Sequence, residues 1–212
     1  MMTFLHESLI QNGYTLSSDT EQKMAAYLEL MHRWNRVFNL TAIKDPNESV
    51  LLHILDSLSI CDDLHGHRIL DVGTGAGLPG IPLALMCPDK EFVLLDSNSK
   101  KTRFLNQVIY ELNIKNVTVV HARCEDFQPK TGFDSIVSRA FASIQVMLDV
   151  TQHLVCEDGQ FLAMKGVYPD AEINAIPAKF TLLHVKKLKI IGLDAERHLI
   201  SVKKAAKELS GG

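Results

Sequence analysis

Residues 68–80 read RILDVGTGAGLPG, and this stretch decides the fold. An apolar strand runs into Asp71, four glycines follow within residues 73–80, and an apolar helix begins after them. Glycine has no side chain and tolerates positive φ, so a turn of this kind lets the backbone approach a ligand closely. The free N–H groups at the start of the next helix point at the same place. The pattern predicts a nucleotide-type cofactor site at the first strand–helix turn of an α/β sheet.

The bulk composition excludes several classes of protein. With 212 residues, 46% of them hydrophobic and 22% charged, the chain is an ordinary globular sequence, long enough for one domain with a small extension. Its formal net charge of −3 excludes a whole-surface affinity for polyanions, although a local basic patch can still bind nucleic acid. The four scattered cysteines, without a C-x-x-C pair, predict free thiols rather than disulfides or a zinc site. No apolar stretch reaches about 18 residues and no signal peptide is recognisable, so we expect a cytoplasmic protein without a membrane segment.

Residues 1–66 are predicted to form a helical cap. A short first helix ends at Gly13, and the segment Ser18–Glu21 has the S-x-x-E pattern of a capping box, with its serine as the N-cap of a long amphipathic helix. Asp45 followed by Pro46 predicts a further helix start, in which Asp45 caps the helix and Pro46 takes its first position.

From residue 67 the pattern changes to apolar strands that alternate with helices. The predicted strands are residues 68–72, 92–95, 117–120, 135–138 and 160–164, and the predicted helices lie near residues 78–87, 100–112 and 143–154. This alternation predicts a parallel, doubly wound sheet with helices on both faces. Two further strands, residues 180–191 and 197–203, are joined by a connection too short for a helical crossover, which predicts an antiparallel hairpin. We therefore predict an α/β protein, in which a Rossmann-like domain with a mostly parallel, seven-stranded sheet spans residues 67–205 and a frayed tail spans residues 206–212.

Two cofactors fit the glycine loop. Residues 75–80 match the dinucleotide fingerprint G-x-G-x-x-G, and Asp96 lies about 20 residues further on, which leaves NAD open. Asp71, directly before the glycines, favours S-adenosylmethionine, because a carboxylate there would crowd a pyrophosphate but suits the cationic amino group of a methionine. Asp96 can accept both ribose hydroxyls of either cofactor, or it can serve as the N-cap of the helix that follows. Since the terminal hairpin also agrees with a methyltransferase sheet, S-adenosylmethionine is the predicted cofactor.

The chain lacks the motifs of several methyltransferase classes. An amino-methyltransferase is expected to carry Asn/Asp-Pro-Pro-aromatic after the fourth strand, where residues 138–142 read SRAFA. A pyrimidine C5 enzyme needs a nucleophilic cysteine, usually as Pro-Cys, whereas here Cys87 precedes Pro88. What remains is an acceptor that is already nucleophilic, and guanine N7 fits because its lone pair is free and no proton must leave. Positioning then supplies the catalysis without a general base.

Arg139 stands at the carboxyl end of the fourth strand, beside the expected position of the methyl group. Arginine reads the O6/N7 edge of guanine with two hydrogen bonds. A salt bridge to a carboxylate at the end of the sheet, or a contact to the cofactor itself, explains Arg139 equally well.

Seven motifs stand in one order along nearly the whole chain, roughly residues 5–205. They are Asn39-Leu40-Thr41, Asp45-Pro46, His53-Ile54-Leu55-Asp56-Ser57, Asp71-Val72-Gly73-Thr74-Gly75-Ala76-Gly77-Leu78-Pro79-Gly80-Ile81-Pro82, Ser138-Arg139-Ala140-Phe141-Ala142, Lys165-Gly166 and Glu196-Arg197-His198. Together they resemble the bacterial ribosomal small-subunit methyltransferase G family, also called glucose-inhibited division protein B. The Gly-Leu-Pro-Gly extension and the His-Ile-Leu-Asp-Ser motif are specific to that family, unlike the bare glycine loop.

The resemblance implies a class I methyltransferase fold and S-adenosylmethionine-dependent N7-methylation of guanine 527 in 16S rRNA, in the cytoplasm. It implies cofactor contacts at Gly73, Leu78, Cys124, Glu125 and Arg139. The full set of predicted cofactor-binding residues is Asp71, Gly73, Gly75, Leu78, Asp96, Cys124, Glu125 and Arg139. The residues predicted to position the guanine or to contact RNA are Arg139, Lys165 and Arg197, with no general base and no metal. We expect a monomer that acts on 16S rRNA or the small ribosomal subunit and has no membrane or DNA partner.

Basic side chains elsewhere predict a wider RNA surface. Arg197 and His198 open the last strand near Lys165. The N-terminal helices add His32, Arg33, Arg36 and Lys44, so we expect the helical cap and the strand-end loops to form the rRNA surface together. His53 and Asp56 share one face of the third helix, which either makes an ordinary helix-end hydrogen bond or covers and orders the cofactor pocket. An NAD-dependent oxidoreductase and a non-catalytic, cofactor-sensing RNA-binding protein are the alternative functions.

Overall fold

The computed structural model describes residues 1–139, 141 and 143–206, so that only residue 206 of the predicted tail, and neither alanine of the SRAFA motif, is described. Seven strands form one sheet in the order β3-β2-β1-β4-β5-β7-β6. They are β1 (Arg68–Val72), β2 (Glu91–Asp96), β3 (Val117–His121), β4 (Phe133–Arg139), β5 (Val155–Lys165), β6 (Phe180–Lys187) and β7 (His198–Lys204). Strands β1 to β5 run parallel, and β7 lies antiparallel between β5 and β6. The predicted mostly parallel, seven-stranded sheet with a terminal antiparallel hairpin is confirmed.

Helices cover both faces of the sheet. They are α1 (Met2–Gln11), α2 (Ser18–Phe38), α3 (Pro46–Ser49), α4 (Asp56–Leu58), α5 (Gly80–Met86), α6 (Ser99–Glu111), α7 (Ile144–Thr151) and α8 (Asp170–Asn174). Successive strand side chains point to opposite faces. Accordingly, Ile69 of β1 shares a buried cluster with Leu83 of α5, whereas its neighbour Leu70 shares another with Met147 of α7.

Strand β6 is shorter than the sequence predicts. It ends at Lys187 rather than at residue 191, and the chain then turns through Gly192, whose φ is 92°. After β6 the N–H of Leu188 still bonds to the carbonyl of Arg197 at 2.8 Å, and the chain then leaves the strand, with Leu188 and Ile190 buried in the apolar core.

The helix predicted after Asp45 has three parts. Asp45 caps it as predicted, since its Oδ1 accepts hydrogen bonds from the N–H groups of Asn47 and Glu48 at 2.9 and 2.8 Å. A π-helical turn over Val50–Leu55 separates α3 from α4. A π-turn holds more residues than an α-turn, so Asp56 lies on a face that unbroken α-helical spacing would not give it.

The capping box at the start of α2 lies one residue away from its predicted position. Ser17, not Ser18, is the N-cap, and its Oγ accepts a hydrogen bond from the N–H of Thr20 at 3.1 Å. Glu21 does not complete a box, because its carboxylate faces α1 and pairs with His6 at 3.0 Å. The two serines are chemically equal, so the packing of α2 on α1 decides between them.

One apolar core joins the N-terminal helices to the rest of the protein. Met31 of α2 and Leu105 of α6 belong to the same buried cluster. The hydroxyl of Tyr27 on α2 donates a hydrogen bond to the carbonyl of Ala76 at 2.8 Å, which attaches the helix directly to the glycine loop. The domain boundary at residue 67 stays a prediction, and the core is continuous across it.

The described residues contain no candidate for a membrane span or a metal centre. None of the described helices is both long and apolar enough to cross a bilayer. Within the same part of the chain, no group of three or more His, Cys, Asp or Glu side chains is arranged to hold a metal ion. All four cysteines are free thiols, as their spacing predicts.

Candidate active site

The glycine loop between β1 and α5 has the conformation that its sequence predicts. Gly73, Gly75 and Gly77 have φ values of 66°, 62° and 95°, a region that side chains with a Cβ disfavour. Gly80 is required for a different reason, because a Cβ there would lie 2.7 Å from a carboxylate oxygen of Asp71. The loop therefore combines left-handed backbone with a close approach to the strand that precedes it.

Asp71 holds the glycine loop from inside. The residue is fully buried, and its Oδ2 accepts hydrogen bonds from the N–H of Gly80 at 2.8 Å and the hydroxyl of Thr74 at 2.7 Å. Burial raises the pKa of Asp71 to about 6, although these two hydrogen bonds act in the opposite direction. The other oxygen, Oδ1, is buried without a hydrogen-bond partner among the described residues, so one acceptor remains for a ligand. Its contact with the amino group of the cofactor stays a prediction.

Asp96 ends β2 and is nearly buried beside the glycine loop. Its Oδ2 accepts a hydrogen bond from the N–H of Gly75 at 2.9 Å, and its Oδ1 accepts one from Asn98 at 2.8 Å. The interpretation of Asp96 as a helix cap is wrong. Asn98 caps α6, because Asp96 still belongs to the strand and Asn98 is the residue next to the first helical turn, where it accepts from Lys100. The binding of ribose by Asp96 stays a prediction.

A first cavity, of about 240 Å³, lies at the carboxyl ends of β1, β2 and β3. We call it the nucleoside cavity, and its lining includes Gly73, Asp96, Cys124, Glu125 and Phe141. Four of these five are predicted cofactor residues. The thiol of Cys124 is neutral, since burial raises its pKa to about 11. Two carboxylates, those of Asp96 and Glu125, among mostly apolar walls suit a sugar with an attached base.

The nucleoside cavity is also lined by Phe141, Val146 and Val150, which are not among the predicted site residues. Phe141 lies against Gly73, where a Cβ would be 3.5 Å from its ring. An aromatic residue two positions beyond β4, at the edge where ligands bind in such sheets, is the signal that could have found it.

The other predicted cofactor residues lie outside the lining of the nucleoside cavity. Asp71, in β1, and Gly75, in the glycine loop, lie beside it. Leu78 is buried in the cluster that contains the N-terminal helices. Arg139 lines a second cavity. Direct cofactor contacts by these four residues stay predictions.

The second cavity has a volume of about 470 Å³ and brings together all three residues predicted to position the guanine. We call it the arginine cavity. Its charged lining is Asp56, Arg139, Lys165 and Arg197, and His53 and Met164 are among its other walls. His53 lies in the π-helical turn and Asp56 in α4, the parts of the predicted third helix. Their shared face therefore covers this cavity rather than the nucleoside cavity.

Asp56 bridges the two arginines. Its Oδ1 accepts from Nε of Arg197 at 2.9 Å, and its Oδ2 accepts from Nη1 of Arg139 at 3.2 Å. Nη1 of Arg139 also donates to the carbonyl of Leu52 at 2.7 Å. Among the interpretations of Arg139, a salt bridge is therefore present, but its partner is a helix residue and not a carboxylate at the end of the sheet. Two guanidinium groups and one carboxylate leave the cluster with one net positive charge.

Lys165 and two histidines complete the arginine cavity and its rim. Nζ of Lys165 pairs with Glu172 of α8 at 2.9 Å. His53 is hydrogen-bonded through Nε2 to the hydroxyl of Thr41 at 3.0 Å, and burial together with the nearby guanidinium lowers its pKa to about 4, so the ring is neutral. His198 is buried and donates from Nδ1 to the carbonyl of Gly166 at 2.8 Å, and this hydrogen bond stabilises the loop after β5.

Comparison with known proteins assigns the chain to a family. The family model described as rRNA small subunit methyltransferase G matches residues 20–200. The chain belongs to this family. It is 46% identical over 196 residues to the ribosomal RNA small subunit methyltransferase G of Photobacterium profundum, covering 92% of this chain and 95% of that protein. It is also 46% identical over 203 residues to the protein of the same name from Aeromonas salmonicida, covering 96% and 98% of the two chains.

Solved structures show the same fold at low sequence identity. An S-adenosylmethionine-dependent methyltransferase from Aquifex aeolicus is 16% identical with a TM-score of 0.61, covering 77% of this chain and 96% of that chain. The ribosomal protein L11 methylase from Lactobacillus delbrueckii subsp. bulgaricus is 18% identical with a TM-score of 0.55, covering 72% and 77%. Family membership and fold together confirm the prediction of a methyltransferase with S-adenosylmethionine as its cofactor. The NAD-dependent oxidoreductase and the non-catalytic RNA-binding protein are thereby set aside.

Proposed function

We propose that this methyltransferase transfers a methyl group from S-adenosylmethionine to N7 of guanine 527 in the 16S rRNA of the small ribosomal subunit. The observation that carries the proposal is that both cavities are lined by residues at or just beyond the carboxyl end of β4. Arg139 lines the arginine cavity, and Phe141, two residues further along, lines the nucleoside cavity. A cofactor held in one cavity can therefore face a base held in the other.

The residues of the nucleoside cavity fit the cofactor. Asp96 offers carboxylate oxygens to the ribose, and the Cys124–Glu125 pair lies where the adenine would be bracketed. The unpartnered Oδ1 of Asp71 offers an acceptor to the ammonium group of the methionine part. When bound, the cofactor supplies an electrophilic methyl group on a sulfonium centre.

The arginine cavity fits a guanine whose N7 is to be methylated. Arginine N–H groups donate to the O6/N7 acceptor edge of guanine, which selects this base. N7 has a free lone pair, so the cavity needs no base to remove a proton, and its cationic groups could not act as one. The ring becomes positive as the bond to carbon forms, and by pairing with both arginines the Asp56 carboxylate lowers the net charge that faces the ring from two to one. The contribution of the chain is orientation, which can supply about 7–11 kcal/mol.

The rRNA is proposed to contact the helical cap and the strand-end loops together. The support is the arrangement of the arginine cavity. The π-helical turn and α4 of the helical cap cover it on one side, and β4 and β5 line it on the other. In this proposal the protein acts as a monomer in the cytoplasm, on 16S rRNA or the small subunit, without a DNA or membrane partner.

The test is methyl transfer to small subunits from cells that lack this enzyme. With tritiated S-adenosylmethionine, we expect label in 16S rRNA, and nuclease mapping should place it at guanine 527. Cleavage chemistry specific for N7-methylguanine should break the chain at the same nucleotide. Label on a different nucleotide or on tRNA, or no transfer although S-adenosylhomocysteine binds, would overturn the proposal.

A further inference from the structure

A third cavity, of about 550 Å³, lies on the N-terminal helices and belongs to neither of the cavities already described. We call it the N-terminal cavity. It is formed by the carboxyl-terminal part of α2 and the segment that leads from α2 to α3. Its polar lining is His32, Asn35, Arg36, Asn39, Thr41 and Lys44, and none of its lining residues is acidic.

The charged groups of the N-terminal cavity are available to a ligand. Arg36 and Lys44 take part in no ion pair with any described residue, whereas Arg33, on the same helix as Arg36, is paired with Glu111 at 3.6 Å. Nε2 of His32 is buried without a hydrogen-bond partner in the described part of the chain. Two cations without an ion-pair partner among the described residues fit an anion.

The wall of the N-terminal cavity is held in place by the protein itself. Asn35 donates from Nδ2 to the carbonyl of Thr41 and accepts from its N–H, both at 2.9 Å. The hydroxyl of Thr41 accepts from the N–H of Ile43 at 3.1 Å and is hydrogen-bonded to His53 at 3.0 Å. Asn39 takes the left-handed conformation that ends α2, with φ of 50°. A site ordered before binding loses less entropy when a ligand arrives.

The N-terminal cavity and the arginine cavity share a wall. Thr41 and Lys44 line the former, and Ile43, between them in sequence, lines the latter. The hydrogen bond between Thr41 and His53 joins the two linings directly. The two cavities are therefore near enough for one RNA strand to reach both.

We propose that the N-terminal cavity binds phosphodiester groups of the rRNA strand next to the target guanine, through Arg36 and Lys44. This proposal rests on the proposed function, because it uses the arginine cavity as the position of the guanine. Arginine and lysine contacts to phosphate position a nucleic acid without reading its sequence. The cavity thus sets the register of the strand, and the arginine cavity selects the base.

The double variant Arg36→Gln/Lys44→Gln tests the proposal with undermethylated small subunits. KM for the subunits should rise about tenfold for each lost phosphate contact, while kcat stays unchanged because this binding is the same in the ground and transition states. In filter binding to 16S rRNA, the slope of log affinity against log salt concentration should fall by about 0.7 for each lost contact. Affinity for S-adenosylhomocysteine should not change, since the nucleoside cavity is separate.

Two control variants isolate the charge of the cavity. Lys23→Gln removes a cation from the same helix outside the cavity and should leave KM within about twofold of the wild type. The exchange Arg36→Lys/Lys44→Arg keeps both charges and should keep most of the affinity. If this exchange loses as much affinity as the neutral double variant, the loss is not one of phosphate charge, and the proposal fails.

The remaining outcomes separate this proposal from the proposed function. A double variant with wild-type KM and salt slope overturns the phosphate site, and wild-type methylation at guanine 527 then leaves the proposed function intact. A wild-type protein that transfers no methyl group overturns the proposed function, and the salt slope of rRNA binding still tests the phosphate site alone. Guanosine monophosphate that binds the wild type but not the double variant, with KM for RNA unaffected, would make the cavity a site for free nucleotides and overturn the RNA assignment.

Discussion

Asp56 is the residue on which the geometry of the arginine cavity depends. It is 3% exposed and connects Arg139 at the end of β4 to Arg197, the residue before β7. Without its carboxylate, two guanidinium groups would face each other with no intervening negative charge. A buried or half-buried charge that loses its partner moves towards solvent or destabilises the fold.

Asp56→Asn is therefore expected to lower kcat/KM for small subunits by about 100-fold, the size of effect that a displacement of about 1 Å can have. Both kcat and KM should change, because the arginines are proposed to hold the base in the ground state and in the transition state. Calorimetry with S-adenosylhomocysteine should give an affinity close to that of the wild type. Asp62→Asn, an exposed acid in the turn that follows α4, is the matched control and should have no effect. Wild-type kinetics in Asp56→Asn would contradict the positioning role.

Asp71 gives the stability of the protein a defined pH dependence. Its pKa is raised from 3.8 to about 6 by burial, so the folded state favours the protonated acid. The contribution of this group to stability is complete below pH about 4 and is lost as the pH rises through about 6. A shift of about two units corresponds to about 3 kcal/mol.

Comparison of the wild type with Asp71→Asn in urea unfolding isolates this contribution, because the asparagine does not titrate. The free energy of unfolding of the wild type, relative to the variant, should increase by up to about 3 kcal/mol as the pH is lowered from 8 to 4. A difference that is independent of pH over this range would show that Asp71 titrates normally.

At the scale of elements, the glycine loop requires small residues for two separable reasons. Gly13 and Gly77 both have left-handed backbone, with φ of 83° and 95°. A Cβ at Gly13 would meet nothing within 4 Å, whereas a Cβ at Gly77 would lie 2.6 Å from Ile81 and 2.7 Å from Leu105. The pair therefore distinguishes backbone strain from steric overlap.

Gly13→Ala should lower the free energy of unfolding by about 1–2 kcal/mol, the cost of a left-handed residue with a Cβ. Gly77→Ala should cost a further 1–3 kcal/mol or so through overpacking, and it should also weaken S-adenosylhomocysteine binding because the loop is displaced. Urea unfolding and calorimetry measure the two effects. Equal destabilisation by the two substitutions would mean that the glycine loop shifts to accommodate the added methyl group without a further loss of stability.

The start of α2 offers a second test at the same scale. Ser17→Ala removes the hydroxyl that accepts from Thr20 and should lower the free energy of unfolding by about 1 kcal/mol. Ser18→Ala is the matched control, because Ser18 lies inside the helix and caps nothing, and its effect should be within about 0.5 kcal/mol. A larger loss of stability in Ser18→Ala than in Ser17→Ala would show that Ser18 is the N-cap.

At the scale of the whole molecule, the N-terminal helices are attached directly to the glycine loop. The link is the hydrogen bond from the Tyr27 hydroxyl to the carbonyl of Ala76. Burial raises the pKa of Tyr27 well above 10, so the hydroxyl keeps its proton and remains a donor. The same helix lines the N-terminal cavity, so the proposed phosphate site and the glycine loop are attached to one apolar core.

Tyr27→Phe should lower the free energy of unfolding by about 1–3 kcal/mol, since it leaves a buried carbonyl without its donor. It should also weaken S-adenosylhomocysteine binding several-fold, because the glycine loop loses its attachment to α2. Tyr110→Phe, at a residue that is 85% exposed, is the control and should change neither quantity. Destabilisation with unchanged cofactor affinity would show that the loop keeps its shape without the link.

The sequence by itself determined the parts of this protein that depend on neighbouring residues. Strand β1 and the helix start at Asp45 are found where the pattern predicts them, because alternation, capping and proline geometry act over a few residues. The glycine loop belongs to the same class, since positive φ is a local property of glycine. The family also follows from the order of motifs along the chain.

Only the tertiary structure decided which side chains meet. Asp56 reaches Arg139 and Arg197 across 83 and 141 residues of chain, and no spacing in the sequence encodes such a contact. The choice of Ser17 over Ser18 as a cap and the formation of the N-terminal cavity have the same origin. Packing of the apolar faces sets these positions, because the free energy gained by burying apolar surface depends on how all the elements fit together and not on any single residue.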